Sequence, residues 1–228
     1  MMKGLRIFLA VIFSFLMVGL SASRADKPQF PLLASYDFEA GAASGWQPNN
    51  PAHWRVIKQE GAFVYELTAP GEQGKLRAPT SWSVIAGHDV SSFVFTGRMK
   101  CPADPANPHR DLCIFFHFQD PTHFYYVHFS AASDESHNII GLVNGADRVK
   151  VNSEPPGKSI FGLTDTKWHP FKLTCDADSG RVEAFIDDMD TPIVTAVDKT
   201  LGHGLVGIGS FDDTGSFDDI KLWGIEKK

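Results

Sequence analysis

The stretch Cys113–Ser130, CIFFHFQDPTHFYYVHFS, constrains the fold of this chain more than any other. Two runs of alternating side chains flank Asp120-Pro121-Thr122-His123, the pattern of an antiparallel hairpin with a four-residue loop. Such a loop sets Gln119 opposite Phe124, His117 opposite Tyr126 and Phe115 opposite His128. Successive strand side chains point to opposite faces. One face therefore bears Phe115, His117, Gln119, Phe124, Tyr126, His128 and Ser130. The other bears Ile114, Phe116, Phe118, Tyr125, Val127 and Phe129, which is continuous hydrophobic core.

Similar runs recur along the chain. Ser35–Glu39 reads as a first strand, followed by a Gly, Pro and Asn loop that presents Trp46. Trp54–Lys58 and Ala62–Thr68 flank a Glu60-Gly61 turn, Phe93–Lys100 continues the alternation, and Asn144-Gly145 marks a further hairpin. Trp168–Cys175 and Arg181–Asp187 flank Asp-Ala-Asp-Ser-Gly, and Ile193–Val197, Leu205–Phe211 and Phe217–Trp223 complete the set. About a dozen short strands with regular turns, and no long amphipathic helical period, predict an all-β, antiparallel two-sheet β-sandwich of jelly-roll type. Pro-rich loops at Cys101–His109 and Ser153–Gly157 read as insertions at the sandwich edge.

With 228 residues, 43% of them hydrophobic, the chain can bury one substantial core without metals or disulfides. Lys3 and Arg6, the apolar run Ile7–Leu20 and the small residues Ser21–Ala25 form a signal peptide with cleavage expected after Ala25. The apolar run is shorter than the ~20 residues of a membrane span. The expected organisation is a signal peptide over 1–25 and one domain over 26–228, secreted or periplasmic, with no membrane span after cleavage. A net charge of −6 argues against a nucleic-acid groove. Export permits disulfides, and a Cys101–Cys113 bridge would close the Pro-rich loop. Alternation puts Cys101 with Phe93, Phe95 and Met99, and Cys113 in step with His117 on the other face, so the bridge needs a bulge. Cys175 reads as a small buried hydrophobe.

The run GHGLVGIGSFDDTGSFDDIKLWG (Gly202–Gly224), preceded by VEAFIDD (Val182–Asp188) and Trp168, is similar to the closing strands of the concanavalin A-like lectin/glucanase superfamily, especially its laminin G-like domains. The opening YDFEAGAASGW (Tyr36–Trp46) resembles the first strand of such jelly rolls and of several carbohydrate-binding modules. The resemblance implies the fold. It leaves function open among lectins, adhesion domains, hydrolases and lyases. By resemblance a structural Ca2+ would fall on Asp37, Glu39 and Asp218, with Asp212, Asp213 and Asp219 as alternatives.

The mixed hairpin face suits carbohydrate recognition, because flat rings stack on sugar C–H faces while amides, imidazoles and hydroxyls read their OH groups. The expected ligand-binding residues are Arg98, Phe115, His117, Gln119, Tyr126 and His128, and the partner a polysaccharide or glycan on a concave sheet. An enzyme on the same face is the alternative. A lyase would take His117 or His128 as base, Tyr126 as proton donor, and Arg98 or Gln119 to neutralise a carboxylate. A retaining glycosidase needs two carboxyl groups ~5 Å apart, and no Glu-x-Asp-x-x-Glu run occurs. A sugar hydrolase of another kind and a non-catalytic protein-interaction domain are further readings. Zinc needs three or four converging ligands, and His117 and His128 supply two.

Overall fold

The computed structural model describes residues 29–152 and 162–227. The expected signal segment 1–25 and the expected loop Ser153–Gly157 lie outside the described residues, among which no helix is long and apolar enough to cross a membrane. The strands, in chain order, are β1 (Leu32–Tyr36), β2 (Trp46–Pro48), β3 (Trp54–Gln59), β4 (Ala62–Leu67), β5 (Ser81–Ile85), β6 (Val90–Lys100), β7 (Asp111–Asp120), β8 (His123–Ser130), β9 (Ile139–Asn144), β10 (Val149–Lys150), β11 (His169–Asp176), β12 (Arg181–Ile186), β13 (Val194–Val197), β14 (Leu205–Ser210) and β15 (Gly215–Glu226). One sheet of eight runs β13-β12-β11-β6-β15-β4-β3, with β1 also paired to β15. The other, of seven, runs β10-β9-β8-β7-β14-β5-β2. Every pairing is antiparallel, as alternation requires.

The two sheets enclose the main core. Phe93, Phe95 and Met99 of β6 meet Ile114 and Phe116 of β7 and Tyr125, Val127 and Phe129 of β8, all almost wholly buried. This is the apolar side of the hairpin that the alternation shows. A second apolar cluster lies on the outer face of the seven-stranded sheet, around Phe115, Phe118, Phe124, Tyr126 and Phe211. A segment spanning 68–80 covers that face, and its Leu76 and Ala78 pack onto the cluster. The Arg77 amide donates to Asp147 Oδ1 (2.9 Å), the Arg148 amide donates to the Arg77 carbonyl (3.0 Å), and Asn49 Nδ2 donates to the Thr80 carbonyl (2.9 Å). These bonds tie the covering segment to both sides of the sheet.

Three expectations need correction. The first strand is Leu32–Tyr36, so Asp37, Phe38 and Glu39 lie beyond it. Ser81–Ile85 is a strand that hydrophobic alternation does not reveal, because Ser83 takes an inward position and hydrogen-bonds the buried Tyr65 hydroxyl (3.1 Å). The cysteines are all free and buried. Cys101 sits in the core between the sheets and Cys113 on the outer face of β7, so a sheet thickness separates the thiols that a bridge would join.

Candidate functional site

The hairpin register departs from a four-residue loop. Asp120 pairs with His123, whereas Phe116 pairs with Tyr125 and Phe115 with Tyr126. Four steps along β7 thus match two along β8, which is a bulge at His117–Gln119. His117 takes a left-handed φ of 45° there. The bulge turns the His117 ring inward and Phe118 outward, reversing the faces expected for both. Gly204 makes this possible: a Cβ on it would lie 2.6 Å from the Phe118 amide nitrogen and 2.7 Å from His117 Cα.

Turned inward, His117 is 2% exposed, with Nδ1 2.7 Å from the Leu201 carbonyl and Nε2 2.7 Å from the Ser91 carbonyl. Phe93, Phe116 and Tyr125 meet the ring edge to face. Burial lowers its pKa below the ordinary histidine value, outweighing the two carbonyls that favour the charged ring. His117 thus packs against Phe93 and Phe116 between the sheets and lines a cavity of about 220 Å³ with Tyr125, Cys175, Asp198 and Leu201.

The other expected residues are dispersed. Arg98 lies on the outer face of the other sheet, pairing Asp218 (2.5 Å) and Asp219 (3.0 Å) with its guanidinium 4.7 Å from the Trp168 ring centre. It belongs to a separate shallow groove with Lys172, Lys221 and Trp223. Gln119 is exposed and donates to the His203 carbonyl (3.1 Å). Phe115 and Tyr126 do share a face, both wholly buried beneath the covering segment. Of the acids expected at calcium, Asp37 accepts from the Glu39 amide, Glu39 from the Phe63 amide, and Asp218 from Arg98. These three are not among the groups of described residues whose ligand atoms converge, whereas the alternatives Asp212 and Asp213 converge with Asp111.

His128 opens into a different cavity, on the outer face of the seven-stranded sheet. This cavity, about 180 Å³, lies between the covering segment and the 131–138 loop, lined by Arg77, His109, His128, Ser136, His137, Arg148, Phe211 and Asp212. The guanidiniums of Arg77 and Arg148 stand 5.2 and 4.6 Å from the Phe211 ring centre, within cation–π range. Arg148 Nη1 also donates to the Tyr126 hydroxyl (3.2 Å). Burial pushes the Tyr126 phenol well up, so it stays protonated and serves as a fixed partner for Arg148. Gly141, paired with Tyr126 across β8 and β9, lets that ring lie close over the neighbouring strand.

At the rim, His109 and His137 stack with centres 4.5 Å apart and planes 6° off parallel. His137 Nδ1 is 2.8 Å from Asp134. Burial lowers the His137 pKa against the pull of Asp134, while Asp134 is held below the usual carboxylate range by the Ser136 amide and His137 in spite of partial burial. Asp212 is pushed up by burial and by the neighbouring Asp111. Two guanidiniums thus stand against an aromatic platform, with the His128 and His137 imidazoles and the Asp212 carboxyl beside them. Guanidiniums as a chemical class form bidentate hydrogen bonds to carboxylate and sulfate oxygens.

Arg77, His109, His137, Arg148 and Phe211 escape a sequence reading. They come from four loops and a strand end, and no spacing rule links positions 77, 109, 137, 148 and 211. The one local signal was His128 on the mixed face.

The architecture is the concanavalin A-like jelly roll. No protein-family model matches the chain, and no curated protein matches its sequence. Among solved structures it is similar to the carbohydrate-binding module CBM66 from Bacillus subtilis, with TM-score 0.55 and 16% identity over 79% of this chain and 96% of that one. Lectin I-B4 of Griffonia simplicifolia, in its metal-free form, gives TM-score 0.53 and 12% identity over 83% and 98%. A mixed-linkage glucan GH16 protein of Bacteroides ovatus, solved with a product, gives TM-score 0.54 and 13% identity over 83% and 99%. At such identities the likeness establishes the fold.

Proposed function

We propose that this is an exported carbohydrate-binding protein whose cavity on the outer face of the seven-stranded sheet takes an acidic sugar residue of a polysaccharide or glycan. The observation that carries the reading is the pair Arg77 and Arg148, both set against Phe211 and both opening into the same cavity. A sugar carboxylate or sulfate would bridge the guanidiniums, with His128 and His137 beside it. The size limits the ligand. Pockets for drug-sized molecules begin at about 300 Å³, so the 180 Å³ here fits one residue or a chain end better than an extended polymer lying along the sheet. The solved relatives named as carbohydrate-binding module and lectin support a sugar as the ligand class.

Calorimetric titration with glucuronic acid and glucose, and with their short oligomers, tests this. The acidic sugar is expected to bind and the neutral one not, and Arg148→Met is expected to weaken binding about tenfold or more, in line with loss of a hydrogen bond to a charged group. Equal binding of the neutral sugar, or no effect of Arg148→Met, would overturn the assignment. A lyase is the second reading, favoured by the His137 imidazole beside the carboxylate-binding guanidiniums. It would show as ultraviolet absorbance of an unsaturated product from uronate polymers.

A further inference from the structure

Beneath the cavity, Asp111, Cys113 and His128 form a patch of three buried side chains on one face of the hairpin. Cys113 and His128 pair directly across β7 and β8, and Asp111 shares their face two residues before Cys113. His128 Nδ1 is 2.7 Å from the Ser136 carbonyl oxygen. That oxygen only accepts, so Nδ1 carries the ring proton. The other nitrogen, Nε2, is fully buried, has no hydrogen-bond partner, and sits 3.3 Å from Asp111 Oδ2. Nε2 therefore faces a carboxylate oxygen without a hydrogen bond between them, an arrangement that a cation lying between the two atoms would satisfy.

The distances say which charge fits. Zinc binds imidazole nitrogen at about 2.0–2.1 Å, carboxylate oxygen at about 2.0–2.2 Å and thiolate sulfur at about 2.3 Å. At tetrahedral angles those bonds put nitrogen and oxygen roughly 3.4 Å apart, and sulfur and oxygen roughly 3.6 Å apart. Here His128 Nε2 and Asp111 Oδ2 are 3.3 Å apart, and the Cys113 thiol, which donates to the same oxygen without the ion, has its Sγ 3.5 Å away. All three ligand atoms lie within 4.8 Å of one another.

We propose that Asp111 Oδ2, Cys113 Sγ and His128 Nε2 bind a zinc-class divalent cation at the floor of the cavity. The outer shell is in place. The Ser136 carbonyl orients the imidazole, the Phe211 amide donates to Oδ2 (2.7 Å), and the Ser210 hydroxyl (3.1 Å) and Asp212 amide (3.3 Å) donate to Oδ1. One carboxylate, one thiolate and one neutral imidazole cancel the charge of the ion, so the buried site is neutral overall. The thiol proton leaves to solvent as the metal–sulfur bond forms. Of the three ligands His128 lines the cavity, as does Asp212.

The test uses the full chain and no sugar, so it stands or falls apart from the glycan reading. Protein treated with EDTA is titrated with zinc by calorimetry and native mass spectrometry, and separately with cobalt, whose spectrum reports tetrahedral thiolate ligation. One equivalent of zinc and a thiolate-to-cobalt charge-transfer band are expected. Cys113→Ser should remove the band and weaken zinc at least about tenfold. His109→Ala, in the rim cluster of His109, Asp134 and His137, should leave both intact. Absence of binding at micromolar zinc, or a cobalt spectrum without the thiolate band, overturns the proposal even if the Cys113 variant fails to fold. Loss of zinc on His109→Ala alone would place the ion at the rim and overturn it equally.

Discussion

Gly141→Ala tests whether the outer face of the seven-stranded sheet is the rigid, closed surface described above. A Cβ at this position would lie 2.5 Å from Tyr126 Cζ and 2.7 Å from its hydroxyl oxygen. An exposed ring would swing aside. Tyr126 is wholly buried, with Phe124, His128 and Phe211 around it at centroid distances of 6.2–6.4 Å, and its hydroxyl meets Arg148. Forcing a methyl into such packing costs about 1–3 kcal/mol. Gly141 lies in a strand and has no positive φ, so the smaller entropy of unfolded alanine returns about 0.4–1 kcal/mol. The net loss is then about 1–2 kcal/mol, a fall of roughly 0.5–1 M in the urea midpoint at an m-value of about 2 kcal/mol/M. In a Tyr126→Leu background the clashing atoms are gone, and the same glycine change should be neutral or slightly stabilising. The coupling in this double-mutant cycle should exceed about 1 kcal/mol. Coupling below about 0.5 kcal/mol would mean that the ring moves freely and that the face is looser than its packing indicates.

NMR titration of the His117 ring should give a midpoint below the ordinary value of about 6.5, because burial lowers it. The folded chain then binds fewer protons at this group than the unfolded one. Its contribution to stability is full above that ordinary value and is lost as pH falls through the folded value; a midpoint at or above 6.5 refutes this reading. Alkylation before denaturation should modify none of the three cysteines, and alkylation after denaturation without reductant should modify all three; one adduct alone would reveal a disulfide. Phe211→Leu should keep the fold but remove the platform under both guanidiniums. At about 0.5–1 kcal/mol for each cation–π contact, acidic-sugar affinity should fall roughly five- to thirtyfold in calorimetry, and an unchanged affinity would show that Phe211 does not position the arginines.

Much of the architecture was legible in the chain because strand periodicity is local. Ile114, Phe116, Tyr125, Val127 and Phe129 face the core as their alternation shows, and the turns at Glu60-Gly61 and Asn144-Gly145 join strands that pair. The same rule failed at His117. Alternation carries no memory of an inserted residue, and the bulge depends on the close approach of Gly204, more than eighty residues away. Ser81–Ile85 escaped for a related reason, since the partner that suits Ser83 to the interior is the Tyr65 hydroxyl on another sheet.

The candidate site was less legible. Residues 113 and 128 stood on one face by parity, yet their direct pairing required the true register, and Asp111 joined them only because β7 begins before the apolar run. Periodicity and turn chemistry act over a few residues, so the sequence by itself determined an antiparallel sandwich and the core side of its central hairpin. Which charges meet depends on loops crossing the sheet from distant parts of the chain. Tertiary contacts alone set Arg77 and Arg148 against the same Phe211 ring, bury His117, and bring His128 Nε2 within 3.3 Å of Asp111.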